Sequence, residues 1–217
     1  MLKLVIGNRN WSSWSLRPWI ALRHHAAPFE EIHVPLRQPD TRAHCLDHSP
    51  SGKVPVLHHD AVVIWDSLAI LEYIAELFPE KGLWPNHMAE RARARSVAAE
   101  MHAGFPDLRR DMPMEVLARR ETPAMTPGLS QDIARIDEIW SDCLEQSGGP
   151  FLFGNFTNAD AMFAPVASRF TTWQPALSAA AERYRAHIMA LPAMVDWIRL
   201  AGEENQRPEN QGPESQG

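Results

Sequence analysis

Cysteine is nearly missing from this chain. Cys45 and Cys143 are the only two in 217 residues, far apart and outside any Cys-x-x-Cys spacing. That argues against a disulfide framework and a thiolate zinc site, and it fits a reducing compartment. An excess of positive charge is missing as well. With 21 Lys and Arg against 27 Asp and Glu, the formal net charge is -6, so there is no electrostatic footprint for a nucleic acid backbone. Long apolar runs do not occur: none approaches the roughly 20 residues that span a bilayer, and Leu2 to Ile6 is too short for the apolar core of a secretory leader. His24-His25 and His58-His59 are adjacent pairs whose side chains diverge on a helix or strand, with no carboxylates to complete a ligand set, so no metal is expected. The expectation is a cytoplasmic protein with neither a membrane segment nor a nucleic-acid partner.

What is present is an ordinary globular composition, 45% hydrophobic and 22% charged, in a length that can bury one sizeable core or two modest ones. Leu2 to Ile6 reads as a strand ending at Gly7-Asn8, and Leu16 to Ala27 as a helix with Pro18 near its first turn. Phe29 to Val34 alternates as a strand, and Thr41 to Asp47 suits a short helix. Val54 to Leu57 and Val62 to Trp65 form a hairpin around His58 to Ala61. Asp66 and Ser67 are capping residues ahead of an apolar face of Leu68, Leu71, Ile74, Ala75 and Leu77. The order is βαβαββα.

Two prolines and a glycine between Phe78 and Asn86 have linker composition, and beyond Ala89 the strand signals vanish. Helices are expected over 90–117, 131–146, 159–170 and 192–201. Thr157-Asn158-Ala159-Asp160 is a capping box, one hydroxyl and one carboxylate each bonding the other residue's backbone N–H. The predicted layout is a first domain at 1–78, a linker at 79–88, a helical domain at 89–201 and a disordered tail at 202–217, which has almost nothing apolar to bury.

Taken together, the Val-Pro strand, the acid-Ser helix start, the proline-bearing linker and the Thr-x-x-Asp box resemble the cytosolic glutathione transferase superfamily over residues 1 to about 201. Ser12-Ser13-Trp14-Ser15-Leu16-Arg17 is similar to the Ser-Ser-Cys-Ser-Trp-Arg turn of its zeta class, which includes maleylacetoacetate isomerase, and 91–104 is similar to that class's fourth helix. Bacterial relatives outside the named classes remain an alternative. The resemblance implies an α/β plus all-α fold, with a thioredoxin-like N-terminal domain followed by an all-helical one. It also implies a co-substrate, glutathione.

The chemistry follows residue by residue. A thiol with pKa near 8.5 is mostly protonated at neutral pH, and a hydroxyl donating to its sulfur at a helix N-terminus favours the thiolate. Ser12 matches the family's activating serine, with Ser13 and Ser15 as second and third candidates and Arg17 a turn inside the helix. The alternative is that the hydroxyls merely cap the helix. The resemblance implies a cis Val54-Pro55 bond, with Lys53, Val54 and Pro55 forming a strand edge where the Val54 main chain pairs with the cysteinyl unit. Asp66 would take the γ-glutamyl ammonium and Ser67 its carboxylate, although Asp66 is a methylene shorter than the Glu or Gln of most relatives.

Met101, His102, Phe105 and Arg109 recur at i, i+1, i+4 and i+8 and could line an apolar second-substrate pocket. Trp14 stands where the zeta class has cysteine, which argues against mixed-disulfide chemistry. The zeta-class arginine late in the capping-box helix falls near Thr172, with Arg169 one turn earlier, so the isomerase reading loses its expected charge.

The activity expected is serine-type glutathione transfer to a small electrophile. Alternatives are glutathione-dependent cis-trans isomerisation, dehalogenation, or a non-catalytic binding module of the same fold. A homodimer is expected by analogy, supported by Trp84, Arg91 and Arg95.

Overall fold

In the computed structural model, residues 1–206 are described. The first unit runs β1 (Leu2–Ile6), α1 (Ser13–His24), β2 (Glu30–His33), α2 (Thr41–Leu46), β3 (Val56–His59), β4 (Val62–Trp65) and α3 (Ser67–Leu77). This is the βαβαββα order of a thioredoxin-like domain. The sheet order is β2-β1-β3-β4, with β1 and β2 parallel and the other pairs antiparallel. Alternation sets its two faces. Leu2, Leu4 and Ile6 of β1 point into the main core with Leu16, Trp19 and Ile20 of α1, whereas Val5 and Val56 point the other way, onto Cys45 of α2.

After a single 3-10 turn at Pro79–Lys81 the chain is mainly helical: α4 (Met88–Ala103), α5 (Pro106–Asp111), α6 (Pro127–Ser147), α7 (Asn158–Trp173), α8 (Ala179–Met189) and α9 (Pro192–Asn205). The capping box holds α7 from its start. Asp160 is fully buried, and its carboxylate accepts the Thr157 N–H at 2.8 Å and the Thr157 hydroxyl at 3.1 Å. The two units share one apolar core, because α1 packs against α7 and α9 as well as against its own sheet. The rings of Trp19 and Trp197 meet edge to face at 5.0 Å.

Several expected boundaries move, each for a local reason. α1 starts three residues before Leu16 because Ser12 serves as its N-cap, which puts Pro18 inside the helix. β3 starts at Val56 because Pro55 has no N–H to give the ladder; the Val54-Pro55 bond is cis. The single helix expected over 90–117 breaks after Ala103. Pro106 disfavours a helical Phe105, which turns left-handed at φ 63°, and a Cβ on Gly104 would lie 2.8 Å from the Glu100 carbonyl oxygen. α8 was not anticipated, although Ser178 caps it and Ala181, Tyr184 and Ile188 give it a buried stripe. The disordered tail expected from 202 is corrected in its first part: α9 continues to Asn205, because Glu204 turns inward to the β1–α1 loop. The rest of that expectation, 207–217, lies outside the described residues.

Where α1 ends, His24 stacks on Phe156 at 4.1 Å, and His25 meets the same ring edge-on at 5.8 Å. Burial, with His24 and Lys81 nearby, pulls the His25 pKa from 6.5 down to about 4. The folded state therefore resists protonation there. Its contribution to stability is complete above pH 6.5 and is lost as pH falls toward 4. The expected loss is about 1–2 kcal/mol, after discounting for partial exposure. Melting temperatures across this range check it: His25→Gln should flatten the acid limb, and an unchanged limb refutes the assignment.

Candidate functional site

The β1–α1 turn brings three serines together and gives each a different bond. Ser12 caps α1, accepting the Ser15 N–H at 3.4 Å and donating its hydroxyl to Ser15 Oγ at 2.7 Å. Ser15 Oγ also accepts the Gly7 N–H at 3.1 Å, so this pair knits the turn together. Ser13 faces the other unit instead. Its Oγ accepts from Arg169 Nη2 of α7 at 3.2 Å.

Opposite this turn lies a cavity of about 450 Å³ lined by Trp14, Ser51, Lys53, Val54, Pro55, Trp65, Asp66 and Ser67. That volume suits a small organic ligand. The structure thus brings the predicted Lys53, Val54, Pro55, Asp66 and Ser67 together along one wall. Ser51 and the two indoles are lining groups that sequence reasoning missed; the Ser49-Pro50-Ser51-Gly52 turn offered a signal for the first.

Asp66 sits at the α3 N-terminus with φ 75°, a conformation rare for a non-glycine residue and most often found where a site requires it. One carboxylate oxygen accepts the Leu68 N–H at 2.8 Å, and the other lies 3.2 Å from His102 Nε2. Burial, with Arg17 and Arg109 close by, outweighs Asp66 and lowers the His102 pKa. A neutral His102 can still donate to Asp66. Ser67 is buried and its hydroxyl accepts from Arg17 Nη1 at 3.3 Å. The Trp14 ring carries the Arg17 guanidinium at 4.1 Å and that of Arg109 at 4.9 Å, with His102 edge-on at 5.2 Å.

The set expected to line a second-substrate pocket is corrected. Met101, on the inward face of α4, and Phe105, in the break before α5, are both buried in the main core. The Arg109 guanidinium donates to the carbonyls of Met101 and Gly104, groups left over when α4 breaks. Of the four, His102 alone reaches Asp66 at the cavity wall. Thr172, near where the resemblance puts the zeta-class arginine, donates its hydroxyl to the Glu115 carbonyl, while Arg169 reaches the serine turn. Trp84, expected to support a dimer, is buried within the chain, and its Nε1 donates to Glu72. Among the described residues no group of three or more His, Cys, Asp or Glu side chains is placed to hold a metal, and no helix is long and apolar enough to cross a membrane.

A thioredoxin-like sheet, a helical second unit, and a cavity between a Val-Pro strand edge and an acid-Ser helix start define a class, and comparison with known proteins agrees. The family described as glutathione S-transferase, N-terminal domain, matches residues 11–77. Those residues carry a glutathione S-transferase N-terminal domain, and the chain as a whole has the glutathione transferase fold.

It is 28% identical to the Caenorhabditis elegans protein named "Probable maleylacetoacetate isomerase", over 75% of this chain and 77% of that protein. It is 38% identical to the maleylacetoacetate isomerase of Rhizobium meliloti over 42% of this chain; the shared stretch is 45% of that protein. Among solved structures, a sphingomonad glutathione S-transferase complexed with glutathione is similar at a TM-score of 0.66 and 25% identity, covering 92% of this chain and 98% of its own. A glutathione transferase homolog from Burkholderia gl BGR1 with bound glutathione shares the fold at a TM-score of 0.72 and 20% identity, over 93% and 98% of the two chains.

Proposed function

We propose that this chain is a glutathione-dependent transferase, in which the thiolate of bound glutathione attacks a small electrophile. The observation that carries this reading is the juxtaposition of the cavity wall, from Ser51 to Pro55 and from Trp65 to Ser67, with the serine-bearing N-terminus of α1. In this reading the Val54 main chain pairs with the cysteinyl unit and Lys53 stands near the glycyl carboxylate. The Asp66 carboxylate takes the γ-glutamyl ammonium, and the Ser67 hydroxyl and N–H at the start of α3 hold the γ-glutamyl carboxylate. The helix dipole at α1 and a serine hydroxyl favour the ionised sulfur. Such a thiolate can displace a halide or add to an activated double bond. Reversible addition would make the chain a cis-trans isomerase, a second reading favoured by its maleylacetoacetate isomerase relatives. A homodimer in the cytoplasm completes the proposal.

Calorimetric titration of glutathione onto wild type and Asp66→Asn tests it. Asparagine keeps the cap oxygen but loses the charge that would meet the ammonium. Affinity should fall about 10–100-fold, in the range of a broken charge-assisted contact. No heat of binding to wild type would sink the enzyme reading and leave the binding module.

A further inference from the structure

Three guanidinium groups crowd the base of the serine turn; Asp66 attracts Arg17 and Asp132 attracts Arg109, but from beyond ion-pair contact. Arg17 and Arg169 are buried and Arg109 is half-buried; among the described residues none of the three forms an ion pair. Arg17 Nε and Nη2 have no acceptor at all. Burial, reinforced by Arg109, pushes the Arg169 pKa down to about 9, still protonated at neutral pH. Positive charge buried this way is costly until negative charge joins it.

The serine hydroxyls differ in what they have left to give. Ser12 has committed its proton to Ser15, and Ser15 lies fully buried beneath the turn. Ser13 Oγ receives an N–H from Arg169, and among the described residues its own proton goes to no acceptor. A cationic donor on a hydroxyl's lone pair turns its O–H away and strengthens it as a donor.

We propose that Ser13, oriented by Arg169, is the hydroxyl that donates to the glutathione sulfur, and that the buried charge of Arg169 helps to balance that thiolate. This rests on the glutathione reading above and deepens it. The S–H bond breaks with its electron pair left on sulfur and its proton released to water. Ser13 then donates to the anion, and Arg169 acts as a positioning residue through Ser13. Ser12 is reassigned to holding the turn.

Ultraviolet thiolate difference spectra of the full chain saturated with glutathione, recorded across pH, test the assignment. In wild type the bound thiol should ionise well below its free value. Ser13→Ala should raise that apparent pKa by about one unit, an approximately tenfold loss of thiolate near neutrality. Ser12→Ala should move it less and show its effect in the melting temperature. Arg169→Met should behave like Ser13→Ala. If it fails to fold, Arg169→Lys, which keeps the charge but loses the planar fork, should give an intermediate pKa.

A wild-type pKa in Ser13→Ala, or a thiolate abolished by Ser12→Ala alone, overturns the inference. So does an Arg169→Lys enzyme whose KM for acidic electrophiles rises while its thiol pKa stays put, since the charge would then serve the second substrate. Wild type that binds glutathione as a neutral thiol overturns this inference and leaves the glutathione reading intact. Wild type that binds none overturns both.

Discussion

Replacing Asp160 with alanine is expected to remove about 3–5 kcal/mol of stability, the range for taking away one side of a buried charged network. The carboxylate is fully buried and gathers four donors: Leu152 N–H at 3.1 Å, Thr157 N–H at 2.8 Å, the Thr157 hydroxyl at 3.1 Å and Tyr184 Oη–H at 3.0 Å. Alanine would leave all four without an acceptor, in a place water cannot reach. Three segments meet there, the loop before α7, α7 itself and α8, so the loss should appear as global unfolding. Asparagine would keep the shape but offer one acceptor oxygen instead of two, and it should fall between wild type and alanine. Urea denaturation of the three proteins checks this; a cost under 1 kcal/mol for alanine would mean that the network is not what holds α7.

Glu204→Ala is expected to cost about 2–4 kcal/mol at neutral pH, again as a buried carboxylate removed from its donors. Glu204 accepts from Asn8 Nδ2 at 2.8 Å, from the Arg9 N–H at 3.2 Å and from Arg9 Nη1 at 3.1 Å, and it lies 3.1 Å from His33 Nε2. Burial alone would push its carboxyl up, but the nearby His33 and the hydrogen bonds from the Arg9 backbone and Asn8 outweigh it and hold the pKa below the usual 4.5. The sign follows. The folded chain releases this proton more readily than the unfolded one, so the contribution is present above pH 4.5 and fades as pH falls below it. The gap between wild type and Glu204→Ala should therefore be wide at pH 7 and narrow toward pH 3; a gap that does not depend on pH would mean that packing, not charge, carries the effect.

The readable parts of this chain were those whose causes are local. Leu2 to Ile6 and Val62 to Trp65 are strands with the bounds their composition suggests, and the Thr157–Asp160 box caps α7 as its spacing requires. The wall residues from Lys53 to Pro55 and at Asp66 and Ser67 were placed by the family resemblance, which rests on a proline and helix-capping residues that mark backbone geometry. What escaped reading depends on contacts between distant segments. Arg169 to Ser13 spans 156 residues and Glu204 to Asn8 spans 196, and no window of sequence contains both partners. Glu204 in particular sits in a polar stretch whose composition suggested solvent. Met101 and Phe105 were read as one helical stripe lining a pocket, but the helix breaks between them at Gly104 and both side chains turn into the core, which spacing alone does not show.

The packing of α1 has a consequence for how this protein can change. That one helix begins at the serine turn, lies on the sheet and carries Trp19 and Ile20 into the same core as α7 and α9. The segment between α3 and α4 joins the two units, yet they are not interchangeable modules. A substitution that shifts α7 pushes directly on the helix that carries the serine turn, so neither unit can be repacked without disturbing the other.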